Sequence, residues 1–243
     1  MFAPLNLPDG ILALITDELP SPADFVLHQS LVSHLKQSTK DHKRRVIILS
    51  VSESWNRWQA ISAKSNLNLT QLSSSGSLHF IDVVPMLGSP ENPDSFRTLF
   101  ERVNTVLDAT ETSTEPTLVI LDDITTLEWI GYSALATTRF CRALRALCLK
   151  KGVTFLVRHH LAMPEEPGTL FRLLYQMCSY HIDVRPLSSG RSGAVSGEVA
   201  LHAGPSLPPS TSVKLIPRSV ALQYRLTESG VVFFERGSSR GVL

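Results

Sequence analysis

Thr117-Leu118-Val119-Ile120-Leu121-Asp122-Asp123 is a β-branched and aliphatic run that stops abruptly at two carboxylates. An uninterrupted apolar run of this length reads as a strand buried on both faces, the habit of a central strand in a parallel sheet. Acids at the carboxyl end of such a strand stand where open α/β sheets bind ligands. In phosphate-hydrolysing enzymes that position holds the Walker B acid, which orients Mg²⁺ beside the phosphates. A plainer use is also open: Asp122 and Asp123 can cap the next helix or accept from loop amides. The upstream sequence decides between these.

The chain has 243 residues, enough for one large α/β domain, and 43% of them are hydrophobic, enough for a sizeable core. A net charge of +1 gives no global pull toward nucleic acid or anionic membrane, so any such binding must come from a local patch. Cys141, Cys148 and Cys178 form no CxxC pair and are odd in number, which suits reduced core thiols in an intracellular setting. No apolar run approaches the roughly 20 residues of a membrane span, and the first residues do not resemble a secretory signal.

Residues 10–16 read as the first buried strand, followed by Asp17-Glu18-Leu19-Pro20-Ser21-Pro22-Ala23-Asp24 and a helix. Ser21 suits the N-cap, and Phe25, Leu27, Leu31, Val32 and Leu35 supply the apolar face. A phosphate loop belongs between this strand and this helix, and the chemistry there is wrong for one. Such a loop needs glycines, so that successive N–H groups wrap the phosphates, and a lysine to meet their charge. No glycine occurs between Gly10 and Gly76, and the first lysine is Lys36. Pro20 and Pro22 each lack a donor, and Asp17 and Glu18 repel a polyphosphate. No nucleotide cofactor is expected here.

Further along, residues 46–51 and 78–83 read as buried strands, 66–76 as a serine-rich loop, and 108–116 as a polar loop. Trp55 and Trp58, three apart, share a helix face that suits a core or subunit contact. Ser95 is placed as the cap of a helix through Leu107. After Asp123 a connection leads to a long helix over 132–150, with Leu135, Phe140, Leu144, Leu147 and Cys148 on its apolar side. Arg139, Arg142 and Arg145 form a basic stripe on it, read first as a solvated face and second as an RNA or partner surface. Residues 153–157 form a strand ending in Arg158-His159-His160. Adjacent histidines cannot make the i, i+4 pair of a helical metal site, and no Cys/His set accompanies them, so no metal is expected. A helix over 169–178 and a strand over 180–185 follow. Residues 188–197 and 203–212 read as connections around a strand at 199–202. Alternation at Leu222, Tyr224 and Leu226, the turn Thr227-Glu228-Ser229-Gly230, and the returning Val231-Val232-Phe233-Phe234-Glu235-Arg236 predict a terminal β-hairpin.

The repeating β-α order with antiparallel additions predicts a three-layer α/β fold around a mostly parallel sheet. Residues 117–187, from the acid-ended strand to the second helix-strand pair, resemble the RecA-like core, a P-loop NTPase-like fold. Leu222-Gln223-Tyr224-Arg225-Leu226, Val231 to Gly237 and the closing Val242-Leu243 look like the tail of the family of the sixth Elongator subunit, and the missing phosphate loop suits that family. The resemblance implies a single RecA-like domain over 1–243, with 198–243 as a C-terminal β extension. It implies a non-catalytic subunit that joins the fourth and fifth Elongator subunits in a hetero-hexameric ring, beside the remaining Elongator subunits. That ring binds tRNA and supports carboxymethyl-type modification of its wobble uridine, U34. Asp122 and Asp123 are then a degenerate Walker B-like pair. The pore-facing loops of such a ring hold little positive charge here, which leaves Arg158, His159, His160 and Arg172 as the candidate RNA contacts.

Two other readings compete. An active RecA-like ATPase with an atypical phosphate loop is favoured by the two acids and opposed by Pro20, Pro22 and the missing Gly and Lys. A serine hydrolase is suggested by Gly131-Tyr132-Ser133-Ala134-Leu135, a partial G-x-S-x-G elbow, but Leu135 stands in place of the second glycine.

Overall fold

Among the described residues nine strands join in a single sheet in the order β3-β2-β4-β5-β1-β6-β7-β8-β9. The structure is a computed structural model that describes residues 1–39, 42–109, 116–187, 190, 192–207, 213–228 and 230–236. In chain order the elements are β1 (Leu12–Asp17), α1 (Asp24–Lys36), β2 (Arg45–Ser50), α2 (Trp55–Lys64), α3 (Leu69–Ser74), β3 (Leu78–Asp82), α4 (Arg97–Asp108) and β4 (Thr117–Asp122). They continue with α5 (Thr125–Trp129), α6 (Ala134–Lys150), β5 (Thr154–His160), α7 (Thr169–Tyr175), β6 (Tyr180–Arg185), β7 (Gly197–Ala203), β8 (Leu222–Thr227) and β9 (Gly230–Phe234). Strands β1 to β6 are parallel to their neighbours, and β6-β7, β7-β8 and β8-β9 are antiparallel.

Strand β4 is buried at every position because helices cover both faces of the sheet. Leu118 and Ile120 point into the core shared with α1, α2 and α3, where Leu27, Leu31, Trp58 and Leu69 lie. Val119 and Leu121 point into the core shared with α4, α5, α6 and α7, where Leu99, Val103, Phe140 and Leu144 lie. Alternation along the strand thus assigns successive residues to opposite layers. Trp58 is fully buried, with its indole Nε1 donating to Ser50 Oγ at 3.3 Å, so it is a core residue. The three cysteines are buried and free, and burial pushes the Cys148 thiol up to about 12. Among the described residues no helix is long and apolar enough to cross a membrane.

Several local expectations change. The segment 66–76 holds the short helix α3, because Asn68 accepts from the Gln71 N–H and caps it. Ser21 does not cap α1. Its hydroxyl bonds Tyr224 Oη at 2.8 Å and donates to the Ser196 carbonyl, which ties the β1–α1 turn to the far side of the sheet. Ser95 does not cap α4, whose N-cap is Phe96. The long helix begins at Ala134, capped by Ser133, which accepts from the Ala136 N–H at 3.2 Å. Leu135, placed on its apolar side from the sequence, is 55% exposed, since it lies across the cylinder from the buried Thr137. The hairpin forms as β8 and β9, with Gly230 at φ +150. Ser229, Gly237, Val242 and Leu243, and parts of 108–116, 188–197 and 203–212, lie outside the described residues.

Candidate functional site

At the carboxyl ends of the parallel strands, where the fold offers a ligand site, the space belongs to a charge cluster made by the chain itself. Period-two alternation puts Asp17 of β1, Asp122 of β4, and Arg158 and His160 of β5 on the face that α1 covers. The β1-β5 register sets Asp17 beside His160 and Ile15 beside Arg158. Asp24 arrives from the first turn of α1.

Arg158 is the centre. Its Nε donates to Asp17 Oδ2 at 3.1 Å, its Nη1 to Asp122 Oδ1 at 2.9 Å, and Nη1 also pairs with Asp24 Oδ1. Its Nη2 lies 3.1 Å from His160 Nε2. His160 Nδ1 meets Asp17 Oδ1 at 2.5 Å, and Nε2 lies 3.4 Å from Asp123 Oδ2. The Trp129 ring stands parallel to the imidazole, 6.2 Å between centroids. Asp17 Oδ2 also accepts from the Ala23 N–H at 2.6 Å, and Asp123 accepts from the N–H and hydroxyl of Thr126. Four carboxylates therefore face one guanidinium and one imidazole. Burial, helped by the neighbouring Asp123 and Asp24, pushes the Asp122 carboxyl up to about 7 against the pull of Arg158. Burial opposes charge on Asp123 too, but its hydrogen bond and ion pair with His160 hold it down to about 2. Burial likewise works against a charged His160, yet Asp123 and Asp17 raise it to about 9, so it is an imidazolium at neutral pH. The carboxylates hold the Arg158 guanidinium above its ordinary value despite its burial.

A nucleotide with Mg²⁺, the ligand that a RecA-like fold implies, does not fit these residues. Asp122 Oδ1 is bonded to Arg158, and both Asp17 oxygens are already engaged. The β1–α1 connection is a tight turn, with Glu18 bridged to Ser21 and the Ser21 N–H donating to the Glu18 carbonyl at 2.8 Å. It is pressed against β7 and β8. A side chain at Gly197 would collide with Ser21 Oγ, the Arg185 carbonyl and the Tyr224 ring, so only glycine allows this approach. The Ser21 and Ala23 N–H groups of this turn are already engaged, and Pro20 and Pro22 have none to offer a phosphate. Among the described residues no group of three or more His, Cys, Asp or Glu is arranged to hold a metal ion.

The residues singled out as RNA contacts separate. Arg158 and His159 are each 4% exposed, which corrects the expectation that they face an outside ligand. Arg158 spends its donors on carboxylates. His159 points to the opposite layer, near the ring of Phe171, and burial lowers it to about 4, a neutral imidazole. His160 is half-buried and committed to Asp17 and Asp123. Arg172 alone of the four is exposed, with its Nε donating to the Pro167 carbonyl. Ser133 is the N-cap of α6, with its hydroxyl accepting from the Ala136 N–H at 3.2 Å. Asp17 and Asp24 belong to the cluster and were read only as repelling phosphate. The signal that could have found them is the opposite charge at the ends of neighbouring parallel strands, acids on β1 and β4 against Arg158 and His160 on β5.

Comparison with known proteins agrees with this geometry. A KaiC-like protein of Pyrococcus horikoshii OT3 superposes with a TM-score of 0.66 at 11% identity, covering 94% of this chain and 91% of that one, which establishes the RecA-like fold. Elongator complex protein 6 of Homo sapiens is 26% identical over 96% of this chain and 93% of its own length. The Danio rerio protein of the same name is 25% identical over 99% and 96%, and that of Rattus norvegicus 24% over 96% and 93%. A family profile described as Elongation complex protein 6 matches residues 86–228, from the connection before α4 to the end of β8. With a profile match over more than half its length, and relatives aligned nearly end to end, the chain belongs to the Elongation complex protein 6 family.

Proposed function

We propose that this chain is a non-catalytic subunit of the Elongator complex, one that keeps the RecA-like fold as an assembly module and has closed its own nucleotide site. The observation that carries the non-catalytic reading is the Arg158–Asp122 pair: the acid in the Walker B-like position is bonded to an internal cation. Family membership supports the place in Elongator. On this reading the chain alternates with the fourth and fifth subunits in a hetero-hexameric ring that holds tRNA for wobble-uridine modification, and it works in the cytoplasm, with the nucleus as a second location. Its two flanks meet different neighbours, the heterologous contact that closes a ring.

Calorimetric titration of the isolated chain with ATP and Mg²⁺ is expected to give no heat of binding. A micromolar affinity that vanishes when residues 17–22 are replaced would overturn the closed-site reading. Co-expression with the fourth and fifth subunits is expected to give one defined particle by light scattering, and a chain that stays monomeric beside both partners would overturn the assembly reading. The particle should bind tRNA more weakly as salt rises, because phosphate contacts release counterions.

A further inference from the structure

Helix α6 shows solvent a cationic face, and Glu91 and Asp94, which lie with Arg139 around one depression beside it, form no ion pair with its arginines. Leu135, Arg139, Arg142, Ala146 and Leu149 follow one another at intervals of four, three, four and three, so they form one line along the helix. The line is about 21 Å long at 1.5 Å per residue. Its two ends are apolar and open: Leu135 is 55% and Leu149 52% exposed. Its middle is cationic. From Ala134 to Lys150 the helix carries Arg139, Arg142, Arg145 and Lys150 and no Asp or Glu. Some other surface cations are paired locally, as in Arg97 with Glu101, Arg57 with Glu53 and Lys151 with Asp108. Among the described residues Arg139 and Arg142 have no hydrogen bond or ion pair, and the buried Nε of Arg145 has no partner. A depression of about 350 Å³ lies on each side of the line. One runs toward α4, lined by Phe96, Phe100 and Ala143, and the other toward α7, lined by Arg145, Leu149 and Met177.

We propose that this face docks an acidic, amphipathic segment of a partner protein, a helix of about four turns with apolar residues at its ends and carboxylates between them. The charge complement decides the occupant. Three arginines with no acid on their own helix call for carboxylates, and the leucines at either end call for apolar side chains, which a polynucleotide does not supply at that spacing. Arg139 to Arg145 span only about 9 Å, too short for a phosphate track, and the line has no aromatic side chain for a base to stack on. Ala143 and Ala146 leave room for a close backbone approach. The inference stands on α6 alone and does not depend on the proposed ring.

The test places a benzoylphenylalanine photo-crosslinker at Ala146 of the full chain in its native complex, and identifies the crosslinked residues by mass spectrometry. The expected product is a polypeptide segment with Asp or Glu flanked by apolar side chains. Arg139→Glu with Arg142→Glu should lower its yield about tenfold or more, because like charges then face each other. Leu135→Ser with Leu149→Ser should lower it about threefold to tenfold, and Arg225→Glu on exposed β8 should leave it unchanged. Lysine in place of the crosslinked carboxylates should restore the yield against the Arg→Glu pair. All these side chains are exposed, so circular dichroism should be unaltered. Crosslinks to RNA, crosslinks to a segment without carboxylates, an absence of crosslinks, or a yield indifferent to charge reversal would each overturn the proposal.

Discussion

Two charge clusters sit on the same sheet and differ in how deeply they are set. The first, Asp17, Asp24, Asp122, Asp123, Arg158 and His160, lies at the ends of parallel strands under α1, and its arginine is 4% exposed. The second lies on the antiparallel side. There buried Asp183 meets Arg218 at 2.5 Å and buried Glu198 takes a two-pronged contact from Arg236 at 2.9 and 2.7 Å, but Arg218 and Arg236 are 30% and 45% exposed. The chemistry is the same and the solvent differs. In the first, Arg158, Asp17, Asp122 and Asp123 have lost nearly all their water, so these partners are mutually indispensable, although the network as a whole need not be more stable than an apolar one. In the second, water and salt share the work of solvating the arginines.

The largest expected effect separates the two. Arg158→Ala leaves the buried Asp17 and Asp122, and the partly exposed Asp24, beside an empty space and should destabilise the fold by about 3–5 kcal/mol, read as a lower midpoint in urea denaturation. A loss no greater than that of a surface pair would break the contrast.

The next test uses pH, where His160 and Asp122 of the first cluster and Asp183 of the second have opposite signs. His160 is raised from 6.5 to about 9 and Asp122 from 3.8 to about 7, so their contributions are complete below the lower values and are lost as pH rises through the higher ones. Thermal stability should therefore fall from pH 3.8 to about 7 through Asp122 and from 6.5 to about 9 through His160, and His160→Gln should flatten the later part. Asp183 is lowered from 3.8, against its burial, by the Arg218 hydrogen bond and charge, so its contribution exists above that value and is lost on acidification. Asp123, held near 2, follows the same acid-side rule. Stability that climbs steadily from neutral to alkaline pH would contradict the assignment of His160.

Smaller effects sharpen the comparison at its boundary. Tyr224→Phe removes the hydroxyl that joins β8 to the turn at Ser21, while the Ser21 hydroxyl keeps the Ser196 carbonyl. The cost should be about 1 kcal/mol, visible as faster amide exchange in the turn. Arg218→Ala should cost less, a few tenths to about 1 kcal/mol, and about 1 M salt should erase much of it. The penalty for Arg158→Ala should hardly change in that salt. If both respond alike, the depth of the two clusters is not what distinguishes them.

The sequence by itself determined the layers. Val119, Ile120 and Leu121 without a polar break meant a strand covered on both sides, and the β-α alternation around them meant a mostly parallel sheet. It also determined that residues 17–22 cannot wrap phosphate, because donors and glycines are local properties of the chain. The terminal hairpin was equally legible from its alternation and Gly230. What only the tertiary structure decided was pairing across the chain. Arg158 lies 141 residues from Asp17 and 36 from Asp122, and nothing local says that β5 settles between β4 and β1. A basic residue at a strand end therefore looked available to a ligand, when sheet order had already given it three carboxylates. The same holds for Ser21, whose capping propensity is local but whose partner Tyr224 arrives from β8, and for Leu135, whose apolar side chain suited a core that the rotation of α6 turned away from. Propensity and period act over a few residues, whereas the choice of neighbour depends on sheet order, which the chain sets only when it folds as a whole.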